Sequence, residues 1–221
     1  MTTRRRDYLT IVGSAATVSF AGCLGGESSE AIQTSYDCDL TSQEPVSSLP
    51  QPTLGPDDAT VTVDFFEDFA CPHCATFATG SLQQLKNEYL NGESVRFRHF
   101  DFPIPVSETW SYAVANAARS VQESLTDAAF FEFSQAAYQN QAEYAYELLG
   151  DLADSVGAAP CRVMNDISSE TYDQVVADNK ETGISRGVES TPQIFVNGEK
   201  VTVPRGGDRY TQISNAIDAN L

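Results

Sequence analysis

The amino-acid sequence predicts an α/β fold with the order strand, helix, strand, then a long helical stretch, then strand, strand, helix. Apolar and polar residues alternate over 60–65 and again over 95–100, which predicts two strands. Between 107 and 184 the apolar residues recur at helical spacing. Asn197-Gly198 then joins two apolar-rich segments, which is the strongest short signal for a β-hairpin. These observations favour a mixed sheet interrupted by helices.

The first three elements predict a crossover unit. The β-branched residues of 60–65 favour a strand. From Ala75 apolar residues return at helical spacing as far as the Asn-Gly pair at 91–92, which is typical of a helix end. Residues 95–100 form the second strand. Cys71 is therefore predicted to lie at the start of a helix, directly after a strand.

The remaining elements follow from the same patterns. Four helices are predicted after the second strand: Trp110–Ser124, Ala128–Gln139, Glu143–Val156 and Tyr172–Thr182. The chain is predicted to close with the hairpin strands Gln193–Val196 and Lys200–Val203 and a helix over 206–221. This order predicts one folded domain, with the helical stretch inserted between its two halves.

The charge of the chain limits its partners. Its 221 residues include 31 Asp and Glu against 13 Lys and Arg, a formal net charge of −18. Nucleic-acid binding needs clustered cations, so this class of partner is excluded. The only lysines are Lys86, Lys180 and Lys200. An acidic, lysine-poor surface favours a halophilic source, and an ordinary acidic protein is the alternative.

Residues 1–22 have the pattern of an export signal. A basic start precedes the apolar run 11–20, which is shorter than the about 20 apolar residues that span a bilayer. Arg5 and Arg6 resemble the twin-arginine export signature, a receptor-read address. A simple basic flank is the alternative interpretation. Either way the segment is excluded from the predicted fold.

Cys23 follows small residues in a pattern that resembles a lipobox, in which the cysteine becomes the new N-terminus and carries the lipid. Residues 23–50 are then predicted to be a flexible spacer, since 24–35 are polar and lack periodicity. The folded domain is predicted over 51–221. The protein is thus predicted to be tethered by lipid to the extracytoplasmic face of the cell membrane.

The motif Cys71-Pro72-His73-Cys74 is the chemically distinctive feature of the chain. A thiolate at a helix start receives unpaired backbone N–H groups and the positive end of the helix dipole. His73 adds a donor that can be charged near neutral pH, and Pro72 fits the first helical turn. These features predict that the pKa of Cys71 falls to about 4–5 and that its thiolate is a good nucleophile and leaving group.

Two segments, FEDFACPHC and STPQIFVNG, together with the helical stretch between them, resemble the DsbA-like branch of disulfide oxidoreductases over residues 50–221. The resemblance implies a thioredoxin fold (β-α-β … β-β-α) with a helical insertion over about 105–184. It implies a redox-active pair in which Cys71 is attacked and Cys74 resolves the mixed disulfide. It also implies that Pro192 is a cis-proline and that the Thr191 backbone pairs with substrate. No cofactor and no metal are expected.

Many DsbA-like sequences carry a glutamate six residues before the first cysteine, where this chain has Phe65. Asp64, Glu67 and Asp68 are the nearby acids that could assist Cys74 instead, and the sequence does not choose among them. Ordinary solvated carboxylates are the alternative for each. His99 is predicted to end a strand without a chemical role.

Cys38 and Cys161 remain as a possible structural disulfide, or as two separate thiols. The resemblance implies a monomeric enzyme that oxidises thiols of exported proteins and is reoxidised by a membrane redox partner of the quinone-reductase type. A reductase or a cytochrome-maturation helper would use the same residues. A metal-binding chaperone and a non-catalytic peptide-binding module are alternatives of another class.

Overall fold

The structure is a computed structural model that describes residue 32, residues 34–104 and residues 106–221. The predicted signal peptide over 1–22, its Arg5 and Arg6, and the predicted lipid attachment at Cys23 lie outside the described residues. Within the part that is described, no helix has both the length and the apolar character needed to cross a membrane.

A mixed β-sheet lies at the centre of the described chain. Its strands are β1 (Thr53–Leu54), β2 (Val61–Glu67), β3 (Val95–Asp101), β4 (Gln193–Val196) and β5 (Glu199–Lys200). The spatial order is β1-β3-β2-β4-β5, in which only β2 and β3 pair in parallel. The predicted thioredoxin fold with a helical insertion is confirmed. The edge strand β1 was not predicted, because a two-residue strand has no readable period.

The helices surround this sheet. They are α1 (Pro72–Thr79), α2 (Ser81–Tyr89), α3 (Glu108–Ser124), α4 (Asp127–Gln139), α5 (Tyr146–Ser155), α6 (Pro160–Ser168), α7 (Asp173–Ser185) and α8 (Arg209–Asp218). The helical insertion comprises α3 to α7. Helix α6 was missing from the sequence-based prediction, although it starts with a proline at its first position, which is a common helix start.

The helix after Cys71 is broken in two, whereas the sequence predicted a continuous one. Gly80 adopts φ −113° and ψ −93° between α1 and α2. A Cβ at this position would lie 2.9 Å from the carbonyl oxygen of Thr76, closer than real Cβ atoms approach. The glycine therefore permits the change of direction that lets α1 carry the cysteines while α2 packs against α8.

The two faces of the sheet bury different clusters. One face packs against α1, α2 and α4 in the main core, to which Val61, Val63 and Phe65 of β2 contribute. The other face carries a smaller aromatic cluster, which consists of Phe66, Phe100, Phe102, Val188 and Phe195. Because side chains alternate along a strand, neighbouring residues of β2 enter opposite layers. This alternation decides which acid of β2 lies beneath the cysteines.

The segment before the sheet packs on the helical insertion instead of forming free spacer. A disulfide joins Cys38 to Cys161 of α6. The backbone N–H of Thr41 donates to Asn165, and that of Val46 donates to the carbonyl oxygen of Thr171. Residues 38–46 thus lie within the range predicted as spacer but are attached to the folded domain. Ser35 and Tyr36 also donate hydrogen bonds to Glu147 and Asp151 of α5, so any free spacer would have to end before Ser35.

Candidate active site

Cys71 caps the N-terminus of α1. Its backbone is extended, at φ −80° and ψ 120°, and its carbonyl oxygen accepts the N–H groups of Cys74 and Ala75. Pro72 occupies the first helical position, where its missing N–H leaves nothing unsatisfied. Cys71 is 3% exposed and Cys74 is 0% exposed. An incoming sulfur therefore reaches Cys71 first.

The surroundings of Cys71 favour its thiolate. A hydrogen bond from the Cys74 thiol, helped by Thr191 and by the backbone N–H groups of Cys74 and His73, lowers the pKa of Cys71 to about 5 although burial opposes this. The expected lowering of this pKa is thus present, but its largest cause is the neighbouring thiol. The His73 side chain is exposed, and it is the backbone N–H of this residue that acts on the sulfur.

Cys74 is held in the neutral thiol form. Burial raises the pKa of Cys74 well above its ordinary value, and the hydrogen bond to Cys71 and the charge of Glu67 act in the same direction. The backbone N–H of Asp68 donates to its sulfur at 3.4 Å, which opposes this shift only in part. Neither Cys71 nor Cys74 is disulfide-bonded. Their environments favour the thiolate at Cys71, which acts as the nucleophile, and the neutral thiol at Cys74.

The loop before β4 faces the cysteine pair. Its Thr191–Pro192 peptide bond is cis, and the Thr191 carbonyl oxygen lies 3.7 Å from the Cys71 sulfur. Arg209, at the start of α8, donates to the Pro192 carbonyl oxygen at 3.1 Å. Both loop residues are buried. This arrangement puts the backbone of Thr191 and Pro192 beside the attacking sulfur.

The helical insertion holds the loop that leads into the cysteines. Gln141 donates to the carbonyl oxygens of Phe69 and Cys71, and the Tyr144 hydroxyl also donates to that of Phe69. The buried Asp68 carboxylate accepts the backbone N–H groups of Ala70 and of Ile104, which follows it by 36 residues in the sequence. Asp68 thus acts as a structural acceptor for this loop.

Glu67 is the acid buried beneath the pair. It is 2% exposed, and burial raises its pKa. One carboxyl oxygen, Oε2, lies 3.5 Å from Nδ1 of His99, while the other, Oε1, has no hydrogen-bond partner. The charge of Glu67 raises the pKa of Cys74, which places the two groups within electrostatic reach of one another.

His99 is a site residue that the sequence reasoning missed. It lies opposite Phe65 in the register of β2 and β3, on the same face as Glu67, and is 1% exposed. Burial lowers its pKa, but hydrogen bonds with Asp101 and Glu67 more than offset this and raise it. The signal in the sequence was the two-residue spacing of His99 and Asp101, which puts both side chains on one face of a strand.

Asp101 and Arg119 complete this buried chain of charges. Arg119 is fully buried and its guanidinium lies 2.6 Å from Asp101 Oδ2. Burial tends to raise the pKa of Asp101, but Arg119 and His99 lower it to about 2. Asp101 is thus permanently ionised at neutral pH. The charge of Asp101, at one end of this row of buried groups, is therefore fixed, whereas the charge of Glu67, at the other end, is not.

The structure brings together Cys71, Cys74, Thr191 and Pro192, as the sequence predicted, and adds Glu67 and His99. Asp64 lies on the opposite face of the sheet, where Arg98 and Arg186 bind its carboxylate. No group of three or more His, Cys, Asp or Glu side chains among the described residues is arranged to hold a metal ion.

A family model described as Thioredoxin matches residues 47–219. The chain belongs to this family. Within it, the chain is a DsbA-like thiol-disulfide oxidoreductase of the thioredoxin fold, a class to which several of its relatives and structural neighbours belong. This confirms the family and the type of enzyme that the two sequence motifs indicated.

Relatives of this thioredoxin-family chain include the disulfide bond formation protein D of Bacillus subtilis, which is 27% identical over 195 residues. The match covers 86% of this chain and 85% of the relative. The crystal structure of oxidised BdbD from Bacillus subtilis is similar with a TM-score of 0.69 and 25% identity, over 80% of this chain and 98% of that one. Chlamydia trachomatis DsbA shares the fold, with a TM-score of 0.68, 16% identity and coverage of 81% and 95%.

Proposed function

We propose that this oxidoreductase oxidises thiols of exported proteins by donating a disulfide between Cys71 and Cys74. The observation that carries the proposal is the lowered pKa of Cys71, about 5, beside a Cys74 whose pKa is raised. A thiolate stabilised in the reduced enzyme favours the reduced form, so the disulfide is readily passed on. The name of the Bacillus relative, a disulfide bond formation protein, supports the same direction.

The reaction needs two exchanges. A substrate thiolate attacks the Cys71 sulfur of the enzyme disulfide, and Cys74 leaves and takes up a proton. A second substrate thiolate then attacks the substrate sulfur of the mixed disulfide, and Cys71 leaves as a thiolate. The substrate loses two electrons and two protons, and the enzyme ends as a thiolate and a thiol. Reoxidation reverses these steps with a disulfide supplied by a membrane redox partner.

Thr191 and Pro192 bind the substrate chain in this proposal. The Thr191 carbonyl oxygen, beside the Cys71 sulfur, accepts a backbone N–H of an extended peptide, as in strand addition. A backbone contact of this kind is independent of the substrate's side chains. It suits an enzyme that must act on many exported proteins.

Glu67 is proposed as the group that exchanges a proton with Cys74. It is buried on the cysteine side of the sheet, and burial raises its pKa, which favours proton uptake. Burial keeps the pKa of Cys74 high, so this thiol needs a nearby base before it can attack. Asp68 is a weaker choice, because backbone N–H groups occupy both of its oxygens.

The location of the protein is part of the proposal. Residues 1–22 would direct export by a twin-arginine-type pathway, and lipid on Cys23 would anchor the domain outside the membrane of a halophilic, archaeal cell. Expression of the full chain followed by membrane fractionation tests this. Cys23→Ser should release the protein to the medium, whereas unchanged membrane attachment of this variant would refute the anchor.

The direction of the reaction is tested by the reduction potential of the Cys71–Cys74 pair, measured by equilibration with glutathione. An oxidase is expected to lie near or above about −180 mV, and a reductase nearer about −270 mV. A second assay follows refolding of a reduced disulfide protein. Cys71→Ser should abolish turnover, whereas a non-catalytic peptide-binding module would retain its binding in that variant. Metal bound to protein prepared under reduction tests the metal chaperone.

A further inference from the structure

A small cavity lies between the sheet, α2 and α4, on the cysteine side of β2. Its walls include Glu67 and His99 from the strands, and Ser134 and Tyr138 from α4. The space open to a water-sized sphere is about 10 Å³. This is the smallest volume that accommodates one water molecule.

Three buried polar atoms without a partner belong to residues that line this one cavity. They are the Oε1 atom of Glu67 and the hydroxyls of Ser134 and Tyr138. A buried polar atom that makes no hydrogen bond costs roughly 1–3 kcal/mol, so three at one place call for a common partner. Ser134 and Tyr138 are four residues apart on α4, so both face the cavity from one side of the helix.

We propose that this cavity binds one water molecule, which joins the Glu67 carboxyl group to the hydroxyls of Ser134 and Tyr138. A buried water typically makes about three hydrogen bonds, which equals the number of orphan atoms present. The ligand class follows from the lining, because a carboxyl and two hydroxyls in so small a space match water and exclude larger molecules.

The water gives Glu67 a route to solvent. The half-buried side chains of Gln83, Lys86 and Gln135 line the same cavity and reach the surface. On the other side of Glu67, His99 is packed among the rings of Phe65, Phe69 and Phe130 and leads only to Asp101, which Arg119 keeps ionised. The route past the water therefore joins the buried acid to the outside.

This inference rests on the proposed function of Glu67 and extends it. During reoxidation the Cys71 thiolate forms a mixed disulfide with the partner, whose second sulfur leaves. The Cys74 thiol then gives its proton to Glu67 and attacks the Cys71 sulfur, and the partner leaves as a thiolate. Glu67 returns to its starting state by passing that proton through the water to solvent. No further oxidant enters the step.

The water itself is tested by crystallography of the full domain at high resolution. The wild-type structure should show a water within hydrogen-bond distance of Glu67 and of at least one hydroxyl. The variant Ser134→Ala/Tyr138→Phe should lose it or show it displaced. A dry cavity in the wild-type protein would overturn the proposal, and this result does not depend on whether the protein is an oxidase.

The proton route is tested by rapid-mixing kinetics of oxidation by glutathione disulfide. In the double variant the attack by Cys74 should slow roughly tenfold, within the range that a positioned proton carrier provides. The first attack by Cys71 and the pKa of its thiol, measured by alkylation, should stay as in the wild type. A merely structural role of the two hydroxyls would not separate these two steps.

The matched control is Tyr89→Phe, which also removes a hydroxyl from a core tyrosine but one that binds Ser214 and Asp218 instead. It should leave both rates unchanged. A double variant that resolves the mixed disulfide as fast as the wild type would overturn the route. Absence of any exchange in the wild-type protein would refute the oxidoreductase chemistry and the route together, and the crystal structure would still decide the water.

Discussion

Asp64 and Glu67 are two buried carboxyl groups on the same strand, three residues apart, and they face opposite sides of the sheet. Asp64 accepts two hydrogen bonds from Arg98, at 2.7 and 2.9 Å, and one from Arg186 at 2.8 Å. Glu67 has a histidine nitrogen at 3.5 Å and one oxygen without a partner. The two guanidinium groups give Asp64 fixed positive partners, whereas Glu67 has only a group that itself titrates.

The difference separates a structural acid from a chemical one. The Asp64 carboxylate forms ion pairs with two arginine side chains, at 2.7 and 2.8 Å, and so joins β2 to β3 and to Arg186. Protonating Glu67 leaves no permanent cation unpaired, and burial favours the neutral form. The side of the sheet that carries the cysteines therefore holds the acid able to change its protonation state.

The largest effect on stability should come from replacing Arg119, the buried cation that binds Asp101 on the cysteine side of the sheet. Arg119→Met would leave the Asp101 carboxylate buried without a cation, so the free energy of unfolding should fall by about 3–5 kcal/mol. Urea unfolding followed by circular dichroism measures this. Arg162→Met, which removes a half-exposed arginine paired with Glu123, should change stability by less than about 1 kcal/mol. Equal losses in the two variants would contradict the buried role of Arg119.

The comparison itself is tested by neutralising each acid in turn. Asp64→Asn should lower the free energy of unfolding by about 1–3 kcal/mol, because hydrogen bonds to two arginines are weakened. Disulfide exchange should stay close to the wild-type rate. Glu67→Gln should change stability by less than about 1 kcal/mol, since the amide keeps the shape of the carboxyl group and leaves no arginine unpaired, but it should slow attack by Cys74 at least tenfold.

Stopped-flow kinetics and urea unfolding on the same two variants provide the measurements. We expect Asp64→Asn to lose stability and keep its exchange rate, and Glu67→Gln to keep its stability and lose rate. Asp64→Asn with a slowed resolving step and Glu67→Gln with a normal one would reverse the assignment of the two acids.

A smaller effect should appear in the pH dependence of stability. The pKa of Cys71 is about 5 in the folded reduced protein, below its ordinary value of 9.0. Its thiolate therefore stabilises the reduced fold most above pH 9, and this contribution is lost as the pH falls through 5. The difference in stability between reduced and disulfide forms should rise with pH between these values, by at most about 1.4 kcal/mol per pH unit. A difference that stays flat from pH 5 to 9 would contradict the thiolate.

The smallest effect is expected for His73. Its side chain is exposed and its backbone N–H is what reaches Cys71, so His73→Ala should leave most of the lowering of the Cys71 pKa in place. The measurement is the pH dependence of alkylation by iodoacetamide. A Cys71 pKa that returns to its ordinary value in this variant would show that the imidazole, and not the backbone N–H of His73, lowers it.

The pair Cys71–Cys74 and the proline at 192 could be predicted from the sequence because each lies in a short segment whose residue types carry its chemistry. The strand and helix order could be predicted because hydrophobic period is a local property. The predicted helix after Ala75 was too long, because a single glycine does not reveal its backbone angles. The extent of the spacer was also overestimated, since the contacts of residues 38–46 with the helical insertion join segments more than 100 residues apart in sequence.

By itself, the sequence determined the type of fold, the reactive cysteine pair and the strongly acidic surface, since these depend on residue type and on spacing between neighbours. Only the tertiary structure showed that Asp64 lies on the opposite face of the sheet, and that Glu67 is buried on the cysteine side with His99 beside it. The physical reason is that a carboxyl group acquires its role from the partners and the burial it meets on folding. Those partners, Arg98, Arg186 and His99, come from other parts of the chain.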